Sequence, residues 1–106
     1  MADEFLWVVA GGAPGEAVEV GGDGLVIGRD PGTDLPVEDP KVSRRHARFV
    51  RTPEGLAVED LGSTNGTLLN DQRLTGLRPL RAGDRLAMGA CVIEVRAHAP
   101  ATEIAP

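Results

Sequence analysis

Hydrophobic residues in this chain come in short runs, and the clearest of them alternate with polar residues at every second position. His46-Ala47-Arg48-Phe49-Val50-Arg51 and Val92-Ile93-Glu94-Val95-Arg96 show the pattern best. A period of two sends neighbouring side chains to opposite faces of a strand, one face to a core and one to water. Read this way, the chain predicts strands over residues 5–9, 17–20, 25–27, 35–37, 46–51, 56–60, 67–69, 72–74, 85–88 and 91–96. No window of a dozen residues carries a helical stripe free of Gly or Pro. Fourteen glycines and eight prolines interrupt the chain, roughly every 8–12 residues, which is the rhythm of an all-β sandwich or barrel.

The breaks carry turn chemistry. Gly21-Gly22-Asp23-Gly24 predicts a tight reversal that uses positive φ. Thr52-Pro53-Glu54-Gly55 closes the next hairpin and Asn70-Asp71 a third, although Asp71 enters the left-handed region less readily than glycine. Ala82-Gly83-Asp84 leads into the last hairpin, turned by Gly89-Ala90. Residues 97–106 hold two prolines and few anchors, and they read as a frayed or linker-like tail. The organisation expected is one domain over residues 1–96 and a flexible tail over 97–106.

Composition narrows the setting. A length of 106 residues suits one domain, and 42% hydrophobic residues exclude a disordered composition. The lone cysteine, Cys91, sits in an apolar run and reads as a core residue in a reducing compartment, hence a cytoplasmic protein. The first ten residues lack the basic and apolar regions of a signal peptide. No apolar run reaches the length of a membrane span.

The net charge is −5, but it is uneven. Residues 41–53 hold Lys41, Arg44, Arg45, Arg48 and Arg51 and no acid. With those five of eleven cations set aside, six face sixteen acids, a net of −10. One basic segment on an acidic body points to a local anion site, not to a broad nucleic-acid footprint. Arg48 and Arg51 taken singly read as a solvated strand face. The aromatics are Phe5, Trp7 and Phe49, too few for a base-stacking platform.

Three loops carry the candidate chemistry. Gly28-Arg29 ends an apolar run; glycine lets the backbone leave the sheet, and the guanidinium fork matches phosphate oxygens. In Val42-Ser43-Arg44-Arg45-His46, the Ser43 hydroxyl and amide are both possible donors to phosphate. In Leu61-Gly62-Ser63-Thr64-Asn65-Gly66-Thr67, Asn65 joins donor and acceptor in one amide and can mimic a strand edge. Alone, each has an ordinary reading as a surface arginine, a basic loop or a polar turn. Catalysis by Ser43 and His46 lacks an acid placed to orient the histidine, and there is no nucleophile elbow. The glycines at 21–28 lack the ending of a P-loop and the helix that follows it.

In order and spacing, the three loops together resemble the forkhead-associated (FHA) domain, a phosphothreonine-peptide binding module. The resemblance covers residues 25–95. It implies a sandwich of two mostly antiparallel sheets with about eleven short strands. Its termini would lie near each other, with the binding loops at the opposite end. It implies that Arg29, Ser43, Arg44 and Thr64 hold the phosphate and that Asn65 clamps the peptide backbone. Lys41 would face the residue three positions after the phosphothreonine, His46 would brace the loops, and Asn70 is a turn residue. The implied partner is a phosphothreonine-containing protein made by an upstream Ser/Thr kinase. No enzyme activity, cofactor, nucleic acid or membrane is implied. A phospho-independent scaffold using the same loop face is the alternative.

Overall fold

A computed structural model describes residues 4–11 and 14–97. In chain order its strands are β1 (Glu4–Ala10), β2 (Ala17–Val18), β3 (Leu25–Gly28), β4 (Leu35–Pro36), β5 (Ala47–Thr52), β6 (Gly55–Asp60), β7 (Leu68–Leu69), β8 (Gln72–Arg73), β9 (Arg78–Pro79), β10 (Arg85–Met88) and β11 (Cys91–Ala97). They form a six-stranded sheet, β2-β1-β11-β10-β7-β8, and a five-stranded sheet, β4-β3-β5-β6-β9. Among the strand pairings of the described residues only β3 with β4 is parallel. The described residues contain no helix, and so none long and apolar enough to cross a membrane.

The sandwich closes on the alternation. Leu6, Val8, Leu86, Met88, Ile93 and Val95 from the first sheet meet Leu25, Ile27, Phe49, Leu56 and Val58 from the second, all buried. Cys91 joins this core, and burial, aided by the charge of Asp39, pushes its thiol up to about 11. That is the chemistry of an inert core cysteine. Trp7 lies under the Arg96 guanidinium, 4.5 Å from the ring centre.

All ten predicted strands are present, with ends moved by one or two residues at most places. The sequence misses β9, because Pro79 argues against a strand. β9 is an edge strand that pairs with β6 alone, where the missing proline N–H is tolerated. The turn at 21–24 also differs from expectation. Gly24 has φ +82 and its N–H donates to Gly21 O at 3.0 Å. Yet β2 and β3 lie in different sheets, so this turn hands the chain across the sandwich and closes no hairpin. Asn70 and Asp71 do close one, with φ of 50 and 70. The Asn70 amide then fastens the turn to β10, donating to Asp84 Oδ1 and accepting from Arg85 N, both at 3.0 Å.

Glu4 pairs with Ala97, so the described ends lie side by side. They sit where β5 ends and β6 begins: Arg51 donates to Glu4 O and Val20 O, each at 2.8 Å, and Leu56 N donates to Glu4 Oε1. The opposite end of the same strands is where β3 ends, β5 starts and β6 ends. The three candidate loops leave from there. Residues 98–106, most of the expected tail, lie outside the described residues.

Candidate functional site

Gly28 is required for a reason other than chain direction. Its φ is not left-handed. The segment 44–45 runs directly across its Cα: a Cβ there would lie inside contact distance of the Arg44 carbonyl oxygen and 2.7 Å from the carbonyl carbon. Two hydrogen bonds seal the approach, Arg29 N to Ser43 O at 2.9 Å and Asp30 N to Arg44 O at 3.2 Å. The first two loops are therefore one unit. Gly28→Ala would push the segment off, with an overpacking cost of about 2–3 kcal/mol. Thermal denaturation is expected to show a loss on the order of 10 °C. A melting temperature within about 2 °C of wild type would show that the close approach is not needed.

His46 ties that unit to the third loop. The ring is fully buried. Its Nδ1 accepts from Ser43 N at 3.0 Å, so the ring proton resides on Nε2, which donates to Gly66 O at 2.9 Å. This corrects one expectation. The Ser43 amide is committed to His46 and is not a donor to phosphate. The Ser43 hydroxyl instead accepts from Thr64 N at 3.0 Å and keeps its own hydrogen to give.

An acid does approach the histidine, which the sequence did not reveal. Asp60 Oδ2 lies 4.0 Å from Nε2. The carboxylate is spent elsewhere: it accepts from Ser63 N at 2.7 Å, Ser63 Oγ at 2.5 Å and Thr67 Oγ1 at 2.7 Å. With Nε2 on a carbonyl and Ser43 bonded to the ring through its amide, these groups do not form a nucleophile–base–acid relay. Burial alone pushes the Asp60 carboxyl up. The bonds from the Ser63 hydroxyl, the Thr67 hydroxyl and the Ser63 amide outweigh it and hold the group below the usual carboxylate range.

A lowered folded pKa contributes stability that is present above the unfolded value. It is lost as pH falls through the folded value, here below about pH 4. Asp60→Asn is expected to cost about 2 kcal/mol at pH 7. In urea titrations the gap to wild type should shrink as the pH drops below about 4. A gap that stays constant would overturn the charge's part in holding the loop.

On the outer side of these braces lie the predicted site residues. Arg29 and Arg44 line a polar cleft with Asp30 and Pro31. Ser43 and Thr64 are joined by the bond just described. Asn65 Nδ2 donates to Lys41 O at 2.8 Å, leaving its oxygen and its second N–H for a ligand. Arg29, Lys41, Arg44, Thr64 and Asn65 are exposed, and Ser43 is half-buried. The structure thus brings all six to one end of the sandwich. It removes two cations from the basic segment: Arg48 donates to Asp23 O at 3.3 Å, and Arg51 is the clamp at the far end. Neither is a free strand face.

Asp39 was missed, although Asp39-Pro40-Lys41 is a readable Asx turn. Asp39 Oδ1 accepts from Lys41 N at 2.9 Å, and Oδ2 accepts from Ala90 N at 2.7 Å. It pins the Lys41 loop to the β10–β11 turn.

The model of the FHA domain family matches residues 25–89, a stretch that contains all three loops. The chain belongs to the FHA domain family. It is 36% identical over 91 residues to the FHA domain-containing protein FhaB of Mycolicibacterium smegmatis, covering 86% of this chain and 59% of that one. The chain thus spans about three fifths of that relative's length. A structure of the FhaA FHA domain complexed with the intracellular domain of Rv3910 superposes with a TM-score of 0.78. It is 28% identical and covers 88% of this chain and 99% of that one. A structure from an analysis of phosphothreonine-dependent FHA domain interactions gives a TM-score of 0.77 at 28% identity, covering 94% of this chain and all of the other. As an FHA domain, the chain has the two-sheet, eleven-strand sandwich that its loops imply. Among the described residues no three His, Cys, Asp or Glu side chains gather to hold a metal.

Proposed function

We propose that this FHA domain binds a phosphothreonine-containing segment of a partner protein and catalyses no reaction. The observation that carries the reading is the Ser43 Oγ bond to Thr64 N. It joins the second and third loops at the end of the sandwich where Arg29 and Arg44 line a cleft. Arg29 and Arg44 supply charge, and the Ser43 and Thr64 hydroxyls supply direction. Asn65 pairs with the ligand backbone through its free oxygen and N–H. Lys41 meets an acidic or polar side chain three residues after the phosphothreonine. The likeness to a structure concerned with phosphothreonine-dependent interactions supports the same ligand.

A phosphate monoester carries about −1.5 to −2 charges at pH 7. The loops are already braced by His46, Asp60 and Asp39, so little ordering is spent on binding. An upstream Ser/Thr kinase writes the ligand, and the setting is cytoplasmic. The binding unit takes in the described residues through Ala97, the last residue of β11, and no cofactor takes part. The test is an oriented phosphothreonine peptide library with phosphoserine and unphosphorylated controls. Equal capture of unphosphorylated peptides would replace this reading with a phospho-independent scaffold.

Asn65 separates backbone from charge recognition. Asn65→Ala is expected to weaken peptide binding by about 1–3 kcal/mol, because a peptide group is left unpaired. Binding of inorganic phosphate should change much less. Calorimetry with both ligands checks this; equal losses would show that Asn65 acts on the phosphate.

A further inference from the structure

Beside the third loop lies a second basic feature that the function above does not use. β8 and β9 are the edge strands on one side of the sandwich, one from each sheet. Between them is a narrow crevice walled by Arg73 and Arg78 with Gln72 and Asn70, over Leu69 and Leu74. Both arginines are exposed. Among the described residues the ion pairs within 4.0 Å are His46 with Asp60 and Arg96 with Glu94, so neither Arg73 nor Arg78 has a carboxylate partner. The Asn70 amide is already bonded to Asp84 and Arg85. The two cations are the free groups.

The crevice adjoins the proposed phosphothreonine site directly. The Arg73 guanidinium covers Gly66, where a Cβ would lie 3.0 Å from Cζ and 3.1 Å from Nη2. Gly66 has φ +83 and follows Asn65, the residue that would hold the ligand backbone. The crevice thus lies beside the loop that carries Asn65.

We propose that Arg73 and Arg78 form a second anion subsite. It takes a carboxylate or a second phosphate carried on the same ligand beyond the stretch held by Asn65, and it is separate from the contact assigned to Lys41. The inference rests on the phosphothreonine reading of the neighbouring loops. Two adjacent guanidinium groups with no acid between them suit a planar or tetrahedral oxyanion, which each can meet through paired N–H donors. The subsite would sharpen selection within an overall acidic body, since acidic ligands elsewhere meet a repelling surface.

The competing explanation is that charged side chains on β8 and β9 only block edge-to-edge pairing. Peptides with one phosphothreonine and otherwise neutral flanks form the reference. A glutamate, and separately a second phosphothreonine, is walked from four residues before to four after it. Affinities are measured for the wild type, for Arg78→Gln, which leaves the Arg73 guanidinium over Gly66 in place, and for Arg73→Gln with Arg78→Gln. Expected is a gain of roughly three- to tenfold at one or two positions, the size of exposed, well-shaped ion pairs. That gain should be lost in the double variant and reduced in Arg78→Gln, with reference binding unchanged within about twofold. The glutamate and phosphothreonine arms identify which anion the crevice takes. No responsive position, or equal loss for reference and acidic peptides, overturns the subsite. Failure of the wild type to bind any phosphothreonine peptide, reference included, overturns the function and the subsite together.

Discussion

Arg29→Ala is expected to abolish measurable phosphopeptide binding while the domain keeps its fold. The side chain is exposed and lines the cleft with Arg44, whereas the hydrogen bond that holds this loop, Arg29 N to Ser43 O, belongs to the backbone. Stability should therefore move by no more than about 0.5 kcal/mol. Binding loses a charged fork facing a dianion, at a cost of ~2–5 kcal/mol, which is about thirtyfold to several thousandfold. Arg29→Lys keeps the charge and loses the planar fork, so it should fall between the two. Calorimetry and a thermal melt of the three proteins decide it. Arg29→Ala binding within about threefold of wild type would mean that the cleft does not hold the phosphate.

The sheet scaffold was legible because burial imposes a period of two, and most strands obey it: β1 buries Leu6 and Val8, and β11 buries Cys91, Ile93 and Val95. The site loops were legible as residue types in order. What the sequence concealed was how those residues hold one another. Gly28 answers to the Arg44 carbonyl, a contact across sixteen positions that no local pattern encodes. Asp60 is seven residues from Thr67 and three from Ser63, and it looks like the end of an ordinary strand until the loop folds back on it. Ser43 seemed to offer two donors, but the ring three residues later consumes one. Such contacts arise from tertiary closure, whereas alternation and turn residues report only local geometry.

His46→Ala is expected to lower stability far more than it lowers the affinity of the molecules that remain folded. The ring is fully buried and spans two loops, so alanine strands the Ser43 N–H on one side and the Gly66 carbonyl on the other. Each unpaired buried group costs about 1–3 kcal/mol, and the vacated ring volume adds to that. A total near ~4 kcal/mol is a large part of the stability of so small a domain. The melting temperature should fall by about 15 °C or more. Other bonds still join the loops: Ser43 Oγ to Thr64 N, Asn65 to Lys41 O, and Arg29 N to Ser43 O. Below the lowered transition, phosphopeptide affinity should thus remain within about tenfold of wild type, and saturating peptide should raise the melting point of the variant by mass action. A variant that melts with the wild type yet fails to bind would make His46 a ligand-contacting residue and not a brace.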